Sequence, residues 1–160
     1  MERERKYSLQ ECERRFILAS LPLDLPDPVR VLDDYIEGTR LRLRRIESLD
    51  GHVLQRKLGH KVRPDPLSAR VVLHTSMYLE AVEYAALATL PSDRLIKLRY
   101  AVAKNVGVDL HEHPREGLIV LEVDLGSETA AEAYDPDFEF ERDVTDDDRF
   151  TGRELARPIA

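Results

Sequence analysis

Polar and apolar residues alternate along most of the chain, which is typical of β-strands that bury one face. The alternation is clearest over residues 39–46 and 53–63, which flank an Asp50-Gly51 pair, a strong signal for a β-hairpin. Strand patterns also occur in residues 7–18, 31–35, 70–78, 94–103, 105–111 and 118–125. Consecutive short strands of this kind predict a mainly β fold, either an antiparallel barrel or a sandwich.

Helical patterns are confined to a few segments. Residues 80–90 are rich in alanine and place apolar side chains at helical spacing, so they predict the clearest helix. Residues 128–133 are compatible with a helical turn. Residues 145–156 predict a terminal helix, with Thr145 as its N-cap and aspartates in its first turn.

The bulk properties indicate one globular domain over residues 1–160. The chain of 160 residues is 42% hydrophobic, which is enough for a real core. A net charge of −7 argues against general binding to DNA or to an anionic membrane. The single cysteine excludes an internal disulfide, and the sequence shows neither a signal peptide nor an apolar run long enough to span a bilayer. We therefore expect a cytoplasmic protein.

Acidic side chains recur at every second position in two of the predicted strands. Glu11 and Glu13 share one strand face about 7 Å apart, Glu122 and Asp124 repeat the arrangement, and Asp109 adds a further acid. Like charges this close repel unless a cation lies between them, and clustered carboxylate oxygens suit Mg²⁺ or Mn²⁺. A single pair of this kind is more often a solvated face, but two pairs beside basic rows favour a metal site.

Basic side chains follow the same spacing in other strands. The rows consist of Arg40, Arg42, Arg44, Lys57, Lys61, Arg63, Lys97 and Arg99. A row of guanidinium groups is unstable without anions, and the planar fork of arginine suits phosphate oxygens. The alternative, a basic outer surface that keeps an edge strand soluble, is weakened because Leu41 and Leu43 need burial on the opposite face. If the sheet closes into a barrel, the charged face predicts a cavity for a polyanion and divalent metal.

Two further features carry less weight. His111 and His113 alternate just before a proline turn, where histidines are more often exposed than bound to metal. Cys12 lies on the apolar face of its strand, which favours a buried structural thiol over a nucleophile. The sequence contains no P-loop and no G-x-S-x-G or G-x-G-x-x-G motif.

The order of these rows resembles the CYTH family of triphosphate tunnel metalloenzymes, over nearly the whole chain from Glu11 to Leu155. The family opens with an E-x-E-x-K strand, for which two frames compete. Residues 2–6 (ERERK) have the literal letters, but residues 11–18 (ECERRFIL), followed by Leu21-Pro22, match the surrounding pattern better. We adopt the second frame, which has Arg15 where the family usually has lysine.

The rest of the chain continues the resemblance. The middle segments that look like the family's basic strands are residues 35–44, 58–61 and 95–100. Residues 117–124 (GLIVLEVD), after Asp109, fit the family's D…G-L-x-x-x-E-x-E, with Asp124 in place of the second glutamate. Residues 143–145 (DVT) fit its E-V-T segment, with aspartate again in place of glutamate.

The resemblance implies a closed antiparallel barrel of eight strands with helices outside, and metal-dependent hydrolysis of an inorganic or organic triphosphate. It assigns Mg²⁺ or Mn²⁺ binding to Glu11, Glu13, Asp109, Glu122 and Asp124. It assigns phosphate binding to Arg15, Arg42, Arg44, Lys61, Lys97 and Arg99. Glu13 and Lys61 are the predicted catalytic residues.

Two alternatives stay open at this point. An adenylate cyclase would share the residues that hold the triphosphate, with the ribose 3′-hydroxyl as nucleophile in place of water. A non-catalytic barrel would bind polyphosphate, a nucleotide or an RNA end. The expected partner is a small molecule (tripolyphosphate, a nucleoside triphosphate or thiamine triphosphate) rather than DNA or a membrane. The sequence does not determine the oligomeric state, and a homodimer stays open.

Overall fold

The computed structural model describes residues 2–160, apart from the side chain of Glu4, and its architecture is a closed antiparallel β-barrel. The wall consists of β1 (Leu9–Ile17), β2 (Val29–Ile36), β3 (Leu41–Glu47), β4 (Val53–Val62), β5 (Val71–Tyr78), β6 (Ser92–Ala103), β7 (Val106–His113) and β8 (Ile119–Asp124). The strand order is β5-β4-β3-β2-β6-β7-β8-β1, and pairing of β1 with β5 closes the barrel. A short strand, β9 (Arg142–Asp143), pairs with the end of β1. The predicted mainly β fold with an eight-stranded barrel is confirmed.

Short helices lie before, between and after the strands of the described chain. They are α1 (Glu2–Arg5), α2 (Ala81–Leu87), α3 (Glu128–Ala133) and α4 (Gly152–Ala156). The helix predicted over residues 80–90 and the helical turn predicted over residues 128–133 are confirmed as α2 and α3. No helix within residues 2–160 is both long and apolar enough to cross a bilayer.

The terminal helix predicted over residues 145–156 is wrong in its first half. A 3₁₀ turn forms at Asp148–Phe150, and α4 begins only at Gly152, with Thr151 as the N-cap. Thr145 is not an N-cap, because its hydroxyl accepts a hydrogen bond from the backbone N–H of Arg15. Residues 142–144 pair with β1 and residues 145 and 146 form a turn, and this tertiary pairing overrides the local helical pattern.

The strand register places the charged rows on the inside of the barrel. Glu13 lies opposite Asp124 across the β1–β8 pair, and Arg44 lies opposite Lys57 across the β3–β4 pair. Because successive residues of a strand point to opposite faces, the apolar residues between the charged ones point outwards.

The main hydrophobic core therefore lies outside the barrel wall. Phe16, Leu121 and Val123 are at most 1% exposed and belong to one buried cluster. The chain after α3 covers this cluster, since the ring centroids of Tyr134 and Phe140 lie 6.1 and 4.9 Å from that of Phe16. Burial of these aromatic and aliphatic side chains stabilises the barrel from its outer surface.

Residues 142–156, which we call the C-terminal arm, close one end of the barrel. Leu155 and Ala156 of the arm form a buried cluster with Leu95 of β6. A Cβ on Gly152 would lie only 2.0 Å from the hydroxyl oxygen of Tyr35, so α4 approaches β2 as closely as a glycine permits. The arm thus forms the floor of the barrel interior at this end.

Candidate active site

The barrel encloses a cavity of about 820 Å³ whose lining carries charges of both signs. Its acidic lining residues include Glu11, Glu13, Glu122 and Asp124. Its basic lining residues include Arg15, Arg40, Arg42, Arg44, Lys61, Arg63, Lys97 and Arg99. The structure thus brings all the residues predicted to bind phosphate together with all the predicted metal ligands except Asp109.

The two possible frames for the E-x-E-x-K strand have different structures. Glu2 is exposed and belongs to helix α1, and the side chain of Glu4 lies outside the described residues. Glu11 and Glu13 belong to β1 and line the cavity. The adopted frame is therefore the one that reaches the cavity.

Lys61 lies between the two carboxylates of β1. Its Nζ donates to Glu11 Oε2 at 2.9 Å and to Glu13 Oε1 at 3.1 Å. Although burial lowers the pKa of Lys61, the charges of Glu13 and Glu11 outweigh it and raise this pKa above its ordinary value. The ammonium group therefore neutralises the pair of acids that repel each other along one strand face.

Arg99 joins two acids of the neighbouring strands β7 and β8, Asp109 and Glu122. It donates to Glu122 through Nη2, and it binds Asp109 through Nε at 2.7 Å and Nη2 at 2.8 Å. Lys97 also donates to Asp109, at 2.6 Å. Burial raises the pKa of Asp109 and of Glu122. The charges of Lys97 and Arg99 outweigh this effect and hold both pKa values below their ordinary range.

Asp109 differs from the other predicted metal ligands in its position. It is 1% exposed, and both of its oxygens accept hydrogen bonds from Lys97 and Arg99. It therefore holds these two cations in place from behind the cavity lining. Direct binding of metal by Asp109 stays a prediction.

Sequence reasoning missed Asp33, the acid that anchors the arginine row. Asp33 is fully buried and accepts hydrogen bonds from Arg44 Nε at 2.6 Å and Nη2 at 2.7 Å, while Arg42 Nε lies 3.7 Å away. Burial raises the pKa of Asp33, but Arg44 and Arg42 lower it more, so it lies below its ordinary value. The neighbouring Asp34 concealed the alternation, since it points outwards and binds Arg94.

The cavity retains unused hydrogen-bond donors. Within residues 2–160, the buried Nε atoms of Arg15 and Arg42 have no hydrogen-bond partner. The remaining bonds of Arg15 are long, at 3.4 Å to the carbonyl of Phe150 and 3.3 Å to that of Thr145. A buried donor without a partner costs free energy, and a guanidinium group with a free donor is chemically suited to bind an anion.

The positive charge of the arginine row affects the pKa of Lys57. Burial is the largest cause that lowers the pKa of Lys57 below its ordinary value, and the charges of Arg44 and Arg42 lower it further. An ammonium group loses its proton more easily where positive charge is in excess. Lys57 Nζ lies over the ring of Tyr78, 5.8 Å from its centroid.

Two other cavity residues were also missed. Tyr35 lines the cavity next to the arm, and burial, followed by the charge of Asp33, raises the pKa of its hydroxyl. His74 lies on β5 with its Nδ1 2.6 Å from Glu11 Oε1. Neither residue belongs to a row of like side chains at every second position, so the sequence offered no repeated spacing by which to find it.

The two features of lower weight have different outcomes. Cys12 is fully buried, which confirms the prediction of a structural thiol. His113 is exposed as expected, but the expectation of exposure is wrong for His111, which is 2% exposed beside Lys97 in the β6–β7 pair. Burial and the charge of Lys97 lower the pKa of His111 below its ordinary value.

The donor set is compatible with Mg²⁺ or Mn²⁺, although no rigid cage is preassembled. Within the described chain, no three His, Cys, Asp or Glu side chains are grouped closely enough to hold a metal ion. Mg²⁺ usually binds through one or two carboxylates together with waters and substrate phosphates, and does not require an all-protein cage. Glu13 and Asp124, directly opposite each other on adjacent strands, present such carboxylate oxygens to the cavity.

The barrel fold also occurs in known structures. A crystal structure of the inorganic triphosphatase NE1496 is 22% identical in sequence and superposes with a TM-score of 0.58, over 93% of this chain and 95% of that chain. The structure of protein PH1819 from Pyrococcus horikoshii OT3 is 18% identical and has a TM-score of 0.53, over 76% of this chain and 84% of that chain. No protein-family model and no curated protein matches the chain. The chain thus shares its barrel fold with an inorganic triphosphatase, which confirms the predicted resemblance at the level of the fold.

Proposed function

We propose that this protein is a hydrolase that cleaves a phosphoanhydride bond of an inorganic or organic triphosphate inside the barrel, with Mg²⁺ or Mn²⁺ as cofactor. The observation that carries the proposal is the presence, in one cavity of about 820 Å³, of unsatisfied guanidinium donors and of paired carboxylates. A linear triphosphate chelated to a divalent cation would present negative charge to the guanidinium groups and positive charge to the carboxylates. The fold shared with the inorganic triphosphatase NE1496 supports the proposal.

The arginine row would bind the phosphate chain. Asp33 already fixes the guanidinium of Arg44, and it lies within ion-pair distance of Arg42. An anchored fork meets phosphate oxygens with little loss of side-chain entropy. On β6, which pairs with β2, Lys97 and Arg99 are held in the same way by Asp109. We therefore propose that the triphosphate lies against these two fixed sets of cations.

Lys61 has a different proposed role because its side chain is flexible and is held only by Glu11 and Glu13. When a triphosphate enters, the Lys61 ammonium can turn from the carboxylates to a phosphate oxygen. That movement frees lone pairs of both glutamates for the divalent cation. Lys61 thereby couples the two binding events, since it leaves the acids only when an anion attracts it.

The proposed reaction is an attack by water on a terminal phosphorus. The water oxygen forms a bond to phosphorus, the bridging P–O bond breaks, and phosphate and a shortened chain are released. Glu13 would accept the proton from the attacking water. The bound cation would neutralise phosphate charge and activate the attacking water. Most of the rate enhancement would come from positioning and charge stabilisation, as is general for phosphoryl transfer.

A direct assay tests this function. Phosphate release is measured with tripolyphosphate, ATP and thiamine triphosphate side by side, with Mg²⁺, with Mn²⁺ and with EDTA. We expect release that needs a metal and that Glu13→Gln abolishes in a folded protein, because the change keeps the shape and removes the charge. Cyclic AMP as the main product from ATP would support the cyclase instead. Binding of tripolyphosphate without turnover would support the non-catalytic barrel.

Two properties of the whole protein stay predictions beside this function. A cytoplasmic location rests on the single cysteine, which is typical of a reducing compartment. A homodimer is also still a prediction, and a measurement of the mass of the protein in solution tests it.

A further inference from the structure

His74 makes a directed contact with one carboxylate of the cavity. Its Nδ1 lies 2.6 Å from Glu11 Oε1, while Lys61 donates to the other oxygen of the same carboxylate. An ionised carboxylate can only accept hydrogen bonds, so Nδ1 carries the proton and donates it. The contact therefore fixes the rotation of the Glu11 side chain, which the mobile ammonium of Lys61 cannot do alone.

Gly59 provides the space for this imidazole ring. A Cβ on Gly59 would lie 2.9 Å from His74 Nε2 and 3.7 Å from Cδ2, both part of a ring that the Glu11 contact holds in place. The backbone φ of Gly59 lies outside the positive range that favours glycine, so chain geometry does not require a glycine there. The ring edge is also closed off, since Nε2 is buried without a hydrogen-bond partner among the described residues.

We infer that His74 is a positioning residue for Glu11, and that residue 59 is a glycine because the ring of His74 occupies the place of its side chain. The inference rests on the proposed function, in which Glu11 presents its carboxylate to the divalent cation. Hydrogen bonds that orient a metal-binding side chain typically contribute 10–100-fold to metal affinity. His74 has this role without belonging to the acidic or basic rows.

Two substitutions of His74 distinguish its hydrogen bond to Glu11 from the space that its side chain fills. Asparagine can place an amide N–H where Nδ1 now lies, whereas leucine fills the space without a donor. We expect His74→Leu to weaken the binding of Mn²⁺ alone, measured by electron paramagnetic resonance, by about tenfold or more. We expect His74→Asn to stay within about threefold of the wild type, because it keeps the donor to Glu11. His52→Leu, at an exposed histidine of the β3–β4 turn, is the matched control and should change nothing.

A double substitution tests the steric half of the inference. Gly59→Ala forces the ring of His74 away from Glu11, so it should weaken Mn²⁺ binding to a similar extent. His74→Asn removes Nε2, the atom that a Cβ on residue 59 would meet first. Gly59→Ala combined with His74→Asn should therefore bind Mn²⁺ more tightly than Gly59→Ala alone. If the two substitutions acted independently, their losses of Mn²⁺ affinity would add, and the double variant would bind Mn²⁺ more weakly than Gly59→Ala alone.

The outcomes separate this inference from the proposed function. A folded His74→Leu variant that binds Mn²⁺ as tightly as the wild type would overturn the positioning role, whether or not the protein releases phosphate. Additive losses in the double variant would overturn the steric relationship. A wild-type protein that binds Mn²⁺ but turns over no triphosphate would count against the proposed function alone. A wild-type protein that does not bind Mn²⁺ would overturn both. Thermal unfolding of each variant confirms that it is folded.

Discussion

Asp33 and Arg44 meet inside the barrel through two parallel hydrogen bonds, from Arg44 Nε at 2.6 Å and Nη2 at 2.7 Å. The two residues lie directly opposite each other on β2 and β3, and both are at most 9% exposed. A buried pair of this geometry contributes little net stability, but the loss of one partner leaves an uncompensated buried charge. Asp33 thus maintains the arginine row while no anion is bound.

We expect Asp33→Asn to lower the free energy of unfolding by about 3–5 kcal/mol, because it strands Arg44 and Arg42 without their acid. Asp34→Asn is the matched control, since Asp34 binds an Arg94 that is 46% exposed on the outer face, and it should cost less. Chemical denaturation measures both. Added tripolyphosphate should raise the melting temperature of Asp33→Asn more than that of the wild type, because the anion replaces the lost charge. Equal costs for the two variants would contradict the role of Asp33.

Arg42 should contribute to affinity more than to stability. We expect Arg42→Ala to weaken tripolyphosphate binding by about 1–3 kcal/mol, the usual scale of a hydrogen bond to a charged group. Arg56→Ala is the control, because Arg56 belongs to the outward face of β4, next to the inward Lys57. Isothermal titration calorimetry measures both affinities. Unchanged binding in the Arg42 variant would refute its assignment to the phosphate site.

Lys61→Met should change the two binding events in opposite directions. Without the ammonium group, Glu11 and Glu13 repel each other, so Mn²⁺ alone should bind more tightly than to the wild type. Tripolyphosphate without metal should bind about tenfold more weakly, because a cation is lost from the cavity. Paramagnetic resonance measures the first and calorimetry the second. A loss of both affinities would show that Lys61 does not exchange between the acids and the phosphate.

Acid should destabilise the protein in a defined range. Asp33, Asp109 and Glu122 have pKa values below their ordinary ones because the neighbouring cations outweigh their burial. The pKa of Glu11 is also below its ordinary value, because the hydrogen bond from His74 and then the charge of Lys61 outweigh its burial. A carboxyl group with a depressed pKa contributes stability that is complete above its unfolded value of about 4 and is lost as the pH falls towards the folded value. We expect the melting temperature to decline slightly below about pH 6.5, where the unfolded chain protonates His111 before the folded protein does, and to fall steeply below about pH 4. Asp109→Asn should show a shallower fall, and an equal slope would contradict the account.

The sequence allowed prediction of the wall of the barrel and the charged rows because both depend on local alternation. The apolar residues between Arg40, Arg42 and Arg44 require burial on one side, so the other side must carry the charges. The contacts between side chains of different rows could not be derived from local alternation. The contact of Lys61 with Glu11 joins positions 50 residues apart and depends on barrel closure.

The C-terminal arm was mispredicted for a related reason. Thr145 followed by three aspartates has the local pattern of a helix start. Two of these aspartates instead form ion pairs with arginines at the end of the barrel, Asp146 with Arg70 at 2.7 Å and Asp148 with Arg63 at 3.0 Å. These contacts hold the turn at residues 145–146 and the 3₁₀ turn at Asp148–Phe150 against the barrel, and no short-range pattern reports them.

The placement of the hydrophobic core outside the barrel wall has a consequence for evolution. Each strand uses one face for cohesion, as Phe16, Leu121 and Val123 show, and the other for chemistry. Substitution of an inward residue leaves the apolar packing intact, so the cavity can change its charges while the fold persists, provided that buried pairs such as Asp33 with Arg44 keep both partners. Specificity can then diverge among descendants by a few inward replacements.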